Sequence, residues 1–237
     1  MVKLKLKVLA LLGGILRRIL KDKIRTSAGV IYTGSELVSD LTVALLFFGK
    51  YEKEELFLCD KYLNKDIDIV ELGTSIGVVA SFIKKNGYGK RMLCVEANPM
   101  LIDSLRKTFD INGVQEIDLH HLAISDSNEP IYFSTRGSNE LGEIVPYSDI
   151  KVSSKSLSLL LKENNIEQYQ LVSDIEGAEC SFINGDGLEN CQLAIIELHK
   201  TEWNGIRYTV ADLVEKLSSR GFKVLEQINN TYVFKRT

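Results

Sequence analysis

The chain has 237 residues, 45% of them hydrophobic, with a formal net charge of −3. That is enough apolar material for one α/β domain of ordinary size, or for one domain with a small appendage. Four cysteines with no CxxC pair, and no metal-ligand spacing to His120, His121 or His199, argue against a disulfide scaffold and a zinc site. They read as small buried hydrophobes in a reducing, cytoplasmic compartment.

Charge is unevenly placed along the chain. Residues 1–25 hold eight Lys/Arg and one Asp, whereas the rest holds 21 basic and 31 acidic residues. An acidic body makes nucleic acid a poor partner. The opening stretch "MVKLKLKVLALLGGILRRILKDKIR" predicts a basic amphipathic helix. Its apolar centre, Val8 to Leu16, ends at Arg17-Arg18 with no cleavage site behind it, and it is too short to cross a bilayer. Such a helix either lies on an anionic membrane surface, giving peripheral contact through residues 1–25, or docks on the body or is left mobile. Residues 1–48 are therefore read as this helix and a helical lead-in, and 49–237 as the main domain.

From Asp66 onward strands and helices alternate. "DIDIVEL" (66–72) is strand-like and Ile76 to Asn86 helical. "RMLCVE" (91–96) is a second strand, after which Pro99 opens a helix that runs to Asn112-Gly113. "IDLHHLAI" (117–124) is a third strand, followed by a polar stretch with a short strand "PIYFS". Ser153 can cap a helix through Asn164. "QYQLVSD" (168–174), "CQLAIIEL" (191–198), a helix from Thr209 to Arg220 and "FKVLEQINNTYVFKR" complete the series, with Asn229-Asn230 as a type I′ hairpin turn. The pattern predicts an α/β fold: a mostly parallel sheet, helices on both faces and an antiparallel hairpin at the C-terminal end.

In open α/β sheets ligands bind outside the carboxyl ends of the parallel strands, so Glu71, Glu96, Asp174 and Glu197 are expected to line one crevice. The first strand runs into "ELGTSIG", where Gly73 and Gly77 permit a tight turn. A dinucleotide loop would have a glycine where Ser75 stands, and the Glu71 carboxylate would face a diphosphate. S-adenosylmethionine carries no phosphate but has a sulfonium and an ammonium, and it suits an acid there. Glu96, 25 residues beyond Glu71, is placed to accept two ribose hydroxyls. Asn98 beside it and Ala123 on the third strand complete the expected cofactor set of Glu71, Gly73, Ser75, Gly77, Glu96, Asn98, Ala123 and Asp174.

"FGKYEKEELFLCDKYL", "VELGTSIGVVASF", "CVEANP", "LVSDIEGAE" and "AIIELH" resemble, in order and spacing, the FkbM-type S-adenosylmethionine-dependent methyltransferases. The resemblance covers about Gly49 to Glu197, and its most specific element is the D-x-E-G-x-E segment from Asp174 to Glu179. It implies a class I methyltransferase (Rossmann-like) fold and methyl transfer to a hydroxyl of a sugar or polyketide-like metabolite. Two departures stand out: Ser173 where the family commonly has lysine, and Gly73-Thr74-Ser75-Ile76-Gly77 where it often has G-A-N-x-G.

Methyl transfer to an alcohol requires alignment and a base. Asp174, at the tip of the fourth strand, is expected to orient the acceptor hydroxyl. His199, read as the one histidine at a carboxyl strand end, is expected to accept its proton near neutral pH. Glu197 joins them, and the three together could instead hold a divalent cation. Glu176 and Glu179 also suit the positive end of the helix that follows. Trp203, Tyr208 and the loop 135–146 are expected to wall a pocket for a saccharide or other small-molecule acceptor. Two other readings remain: a nicotinamide-type oxidoreductase, opposed by Glu71 and Ser75, and a non-catalytic membrane-associated binding protein of the same fold.

Overall fold

A computed structural model describes residues 2–134, 143–145 and 150–237. Seven strands form the central sheet: β1 (Asp68–Leu72), β2 (Met92–Glu96), β3 (Ile117–His121), β4 (Tyr169–Ser173), β5 (Cys191–Glu197), β6 (Phe222–Ile228) and β7 (Thr231–Arg236). Their order is β3-β2-β1-β4-β5-β7-β6. The first five are parallel, and β7 enters antiparallel between β5 and β6. Strand order reverses between β1 and β4, which opens a crevice at their carboxyl ends. The expected α/β class, mostly parallel sheet and terminal antiparallel hairpin are all present.

Among the described residues eight α-helices accompany the sheet: α1 (Val2–Leu20), α2 (Asp40–Phe47), α3 (Lys53–Tyr62), α4 (Val78–Lys85), α5 (Ile102–Asn112), α6 (Leu157–Glu163), α7 (Cys180–Ile183) and α8 (Val210–Ser219). Parallel strands covered on both faces have no polar side, so their side chains divide between two cores. Ile69, Met92, Cys94, Val172 and Ile195 pack into one core with α3, α4 and α5. Val70, Leu93, Val95, Leu171 and Ile196 pack into the other with α6, α7 and α8. Ile24, Ile31, Val43 and Leu46 belong to the first core, so the lead-in shares its packing with the main sheet.

Several boundaries differ from expectation for local reasons. The run 117–124 is broken: β3 stops at His121, and Ala123–Ile124 leaves the sheet to pair in parallel with Ser154–Lys155. That pairing holds the chain extended through Lys155, so Ser156 rather than Ser153 caps α6, its Oγ accepting from the Leu159 amide at 3.3 Å. Pro99 lies in a turn ahead of α5, in which Asn98 Oδ1 accepts from the Met100 amide at 3.0 Å. Thr209 caps α8 through a capping box with Asp212. At the β6–β7 turn Asn229 alone of the asparagine pair takes positive φ (54°), so the turn is not type I′, which needs it at both. The loop expected to wall the acceptor pocket falls, apart from 143–145, outside the described residues.

Candidate active site

A cavity of about 420 Å³ lies at the carboxyl ends of β1, β2, β4 and β5. Its floor is the glycine loop. Gly73 (φ 86°) brings the backbone so close to β4 that a Cβ there would overlap the Asp174 carbonyl oxygen, and Gly77 (φ 82°) would press a Cβ against Leu105. Between them Ser75 occupies the left-handed region (φ 51°), taking with a side chain the conformation that a dinucleotide loop gives to glycine. The Ser75 amide donates to Glu96 Oε2 at 2.7 Å, and the Asn98 amide to Glu96 Oε1 at 2.7 Å. The carboxylate thus keeps acceptor capacity for a further donor, which a ribose hydroxyl can use.

Seven carboxyl groups face this cavity: Glu52 and Glu55 from the start of α3, Glu71, Glu96, Asp174, Glu176 and Glu197. Among the described lining residues there is no lysine or arginine. Burial pushes the Glu55 and Asp174 carboxyls well up, with neighbouring carboxylates adding to it: Glu52 on Glu55, and Glu176 on Asp174. Glu71, 2% exposed, is raised to about 7 chiefly by burial and accepts from the Cys94 thiol at 3.1 Å. Burial likewise raises Glu96, against the pull of its backbone hydrogen bonds. Oδ1 of Asp174 and Oγ of Ser75 are buried without a hydrogen-bond partner among the described residues. A cleft with this charge and these open acceptors fits a cation with hydroxyl donors, and it repels a diphosphate.

His199 follows the end of β5 and reaches back to the loop after β4. Its Nδ1 lies 2.9 Å from Glu179 Oε1, and its Nε2 lies 3.6 Å from Glu176 and 3.8 Å from Glu197. Glu179 is fully buried, and the same Oε1 accepts from the Gly177 amide. Hydrogen bonding to Glu179 raises His199 to about 9, despite a smaller opposing contribution from burial. The Glu179 contact favours the protonated imidazole, which bears against its serving as the proton acceptor expected from the sequence. Glu179 is not simply complementing a helix dipole, because it anchors this histidine. Nor is His199 the one histidine at a carboxyl strand end, since His121 closes β3 beside Glu96.

Of the expected cofactor residues, Glu71, Gly73, Ser75, Glu96, Ala123 and Asp174 line the cavity. Gly77 and Asn98 stand behind it, shaping the loop and holding Glu96. Of the expected catalytic residues, Asp174 and Glu197 line it and His199 buttresses it from Glu179. Two groups have ligand-capable atoms within 4.8 Å of one another, Asp174 with Glu176 and His199, and Glu52 with Asp174 and Glu197. Neither is the trio expected from the sequence, although Asp174 is common to both. Trp203 and Tyr208 do not line the cavity: they sit in a small hairpin, where Trp203 Nε1 donates to Asp126 Oδ2 at 3.1 Å. Sequence reasoning missed Glu52, Glu55 and the α2 residues Leu41, Thr42 and Leu45 on the cavity wall. The one available signal was the acid pair in "YEKEE" ahead of the first strand.

The ribosomal protein L11 methyltransferase of Clostridium perfringens is 29% identical over 175 residues, covering 68% of this chain and 54% of that protein. The chain thus spans about half the length of the curated relatives it matches. Among solved structures, an FkbM methyltransferase from Methylobacillus flagellatus superposes with a TM-score of 0.47 at 15% identity, over 84% of this chain and 56% of that one. A ribosomal protein L11 methylase from Lactobacillus delbrueckii subsp. bulgaricus gives 0.48 at 10% identity, over 80% and 79%. The Methyltransferase FkbM domain matches residues 71–224, from Glu71 near the end of β1 into β6, and the chain belongs to that family of methyltransferases.

Proposed function

We propose that the protein is an S-adenosylmethionine-dependent O-methyltransferase acting on a hydroxyl of a saccharide or related metabolite on the cytoplasmic side, and that residues 1–25 contact a membrane surface. One observation carries the donor assignment: a cavity at the sheet's switch point lined by seven carboxyl groups and, among its described residues, no basic one. Bound donor supplies a methyl group on a cationic sulfur. Glu96 accepts the ribose hydroxyls, Glu71 and the Gly73–Gly77 loop shape the floor, and Ala123 closes one side. Glu52, Glu55 and Asp174 face the cationic end.

Asp174 has two roles in this reading. Burial and its acidic neighbours push its carboxyl well above the usual range. A cation in the cleft lowers that pKa, so Asp174 becomes a carboxylate able to orient the acceptor hydroxyl and take its proton as the new bond forms. Glu197 shares this edge. His199, charged and tied to Glu179, positions Glu176 and Glu197. A second reading, a protein acceptor, is favoured by the relatives named for ribosomal protein L11. Acidic walls disfavour a nucleic acid acceptor.

Isothermal titration with S-adenosylmethionine and its homocysteine product tests the donor site. Glu96→Gln is expected to weaken binding about ten- to a hundredfold through the lost hydroxyl contacts, while Asp174→Asn binds donor within a few-fold and loses about a hundredfold or more in turnover. No heat from the parent chain would end the reading. Methyl incorporation into glycans, against incorporation into ribosomal proteins, decides between the acceptors.

A further inference from the structure

The N-terminal helix is amphipathic in an unusual sense, because the face turned away from the body is the more apolar one. α1 packs against α2, where Gly13 is buried so close to Asp40 that a Cβ would overlap the Asp40 carbonyl oxygen. Arg17 secures the joint: it pairs with Asp40 at 3.0 Å, donates to the Thr33 carbonyl at 2.5 Å and also donates to the Val38 carbonyl. Leu16 and Leu20 turn toward the core on the same side.

Leu4, Val8, Leu11, Leu12, Ile15 and Ile19 recur at the spacing of one helical face. All six are exposed, from 40% at Leu12 to 69% at Leu11. At 1.5 Å per residue the stripe runs about 22 Å along the axis. On a helical projection Lys5 flanks it on one side and Lys7 and Arg18 on the other. Because Arg17 and Gly13 fix the rotation of the helix, the stripe cannot turn inward without breaking the joint with α2.

From this we infer that α1 is an in-plane membrane-binding element whose occupant is an anionic lipid surface, with the 4–8–11–12–15–19 stripe entering the acyl boundary and Lys5, Lys7 and Arg18 meeting lipid phosphates. Charge complementarity selects this occupant: residues 1–25 carry eight basic side chains and one acid, while the rest of the chain is acidic and would be repelled by the same surface. No helix of the described residues is long and apolar enough to cross a membrane, so the helix lies on the surface. One helix away, Leu41, Thr42 and Leu45 of α2 line the cleft, so docking through the stripe holds the cleft at a set distance from the lipid. The inference rests on the proposed membrane contact of residues 1–25 and is independent of donor and acceptor.

Flotation of the full chain with phosphatidylcholine vesicles, with and without phosphatidylserine, is the test. Binding is expected only with the anionic lipid and is expected to fall with salt. Leu11→Gln/Ile15→Gln, both on the exposed stripe, is expected to weaken partitioning about tenfold or more. Lys5→Glu/Arg18→Glu is expected to weaken it about fivefold or more for each charge lost. Thermal unfolding confirms that each variant is folded. If the parent chain fails to float, both the membrane contact and the stripe assignment fall. If it floats but Leu11→Gln/Ile15→Gln floats equally well, the contact stands and the stripe is wrong. A parent chain that elutes as a dimer, and becomes a monomer on Ile15→Gln, would give the stripe to a second copy and overturn the inference.

Discussion

Glu71 is a carboxyl group sealed under the glycine loop, with the Cys94 thiol as a weak partner and a pKa of about 7. Its folded pKa lies above the ordinary value, so the unfolded chain sheds this proton first. Stability is therefore withdrawn as pH rises from 4.5 to 7, and the whole deficit stands above that. Glu71→Gln removes it: the ligand-free protein is expected to gain up to about 3 kcal/mol at pH 8 and almost nothing at pH 4. Urea unfolding at the two pH values measures this, and an equal effect at both would show that folding leaves the Glu71 pKa unshifted. The same variant should bind donor more weakly, because a strained carboxylate is relieved by a cation that an amide cannot pair with. A sequence shows that an acid ends an apolar strand, but only the fold shows that Cys94, Thr74 and the loop surround it.

At the scale of elements, His199 ties the end of β5 to the turn between β4 and α7 through Glu179. Its pKa is raised, so its stabilising contribution is complete below about 6.5 and is lost as pH climbs through about 9. His199→Gln should cost up to about 3 kcal/mol at pH 6 and little at pH 10, which thermal unfolding across that range would show. A pH-independent difference would mean that the imidazole acts by packing alone. Strands β1, β2, β4 and β5 were legible because fully buried parallel strands are continuous apolar runs. The break at Leu122 and the start of α6 were not, because both depend on Ala123–Ile124 pairing with Ser154–Lys155 across thirty residues of sequence. Tertiary pairing overrode a local capping signal at Ser153.

For the whole molecule, the lead-in is part of the body. Ile24, Ile31, Val43 and Leu46 are at most 2% exposed and share a core with Ile69 and Met92. Burying each is worth about 1.5–3 kcal/mol. Their combined loss is comparable to the whole stability of a typical domain, about 5–15 kcal/mol. Residues 49–237 alone are expected to lack cooperative unfolding and near-ultraviolet circular dichroism, whereas a chain lacking only residues 1–12 should keep both. A cooperative transition in the 49–237 fragment would show that the first core closes without α2 and the antiparallel hairpin of Lys23–Thr26 and Gly29–Tyr32 before it.

The sequence by itself determined the fold class, the family, the cluster of acids at one sheet edge and the basic apolar helix ahead of them. Each of these is written in local periodicity, in short motifs or in the placement of charge. Tertiary structure alone decided that Glu52 and Glu55 join the site, that Trp203 and Tyr208 do not, that His199 is held by Glu179 and that α1 turns its apolar stripe outward. Those outcomes depend on distances between residues far apart in the chain, and on how much water is left around each group, which no local pattern encodes.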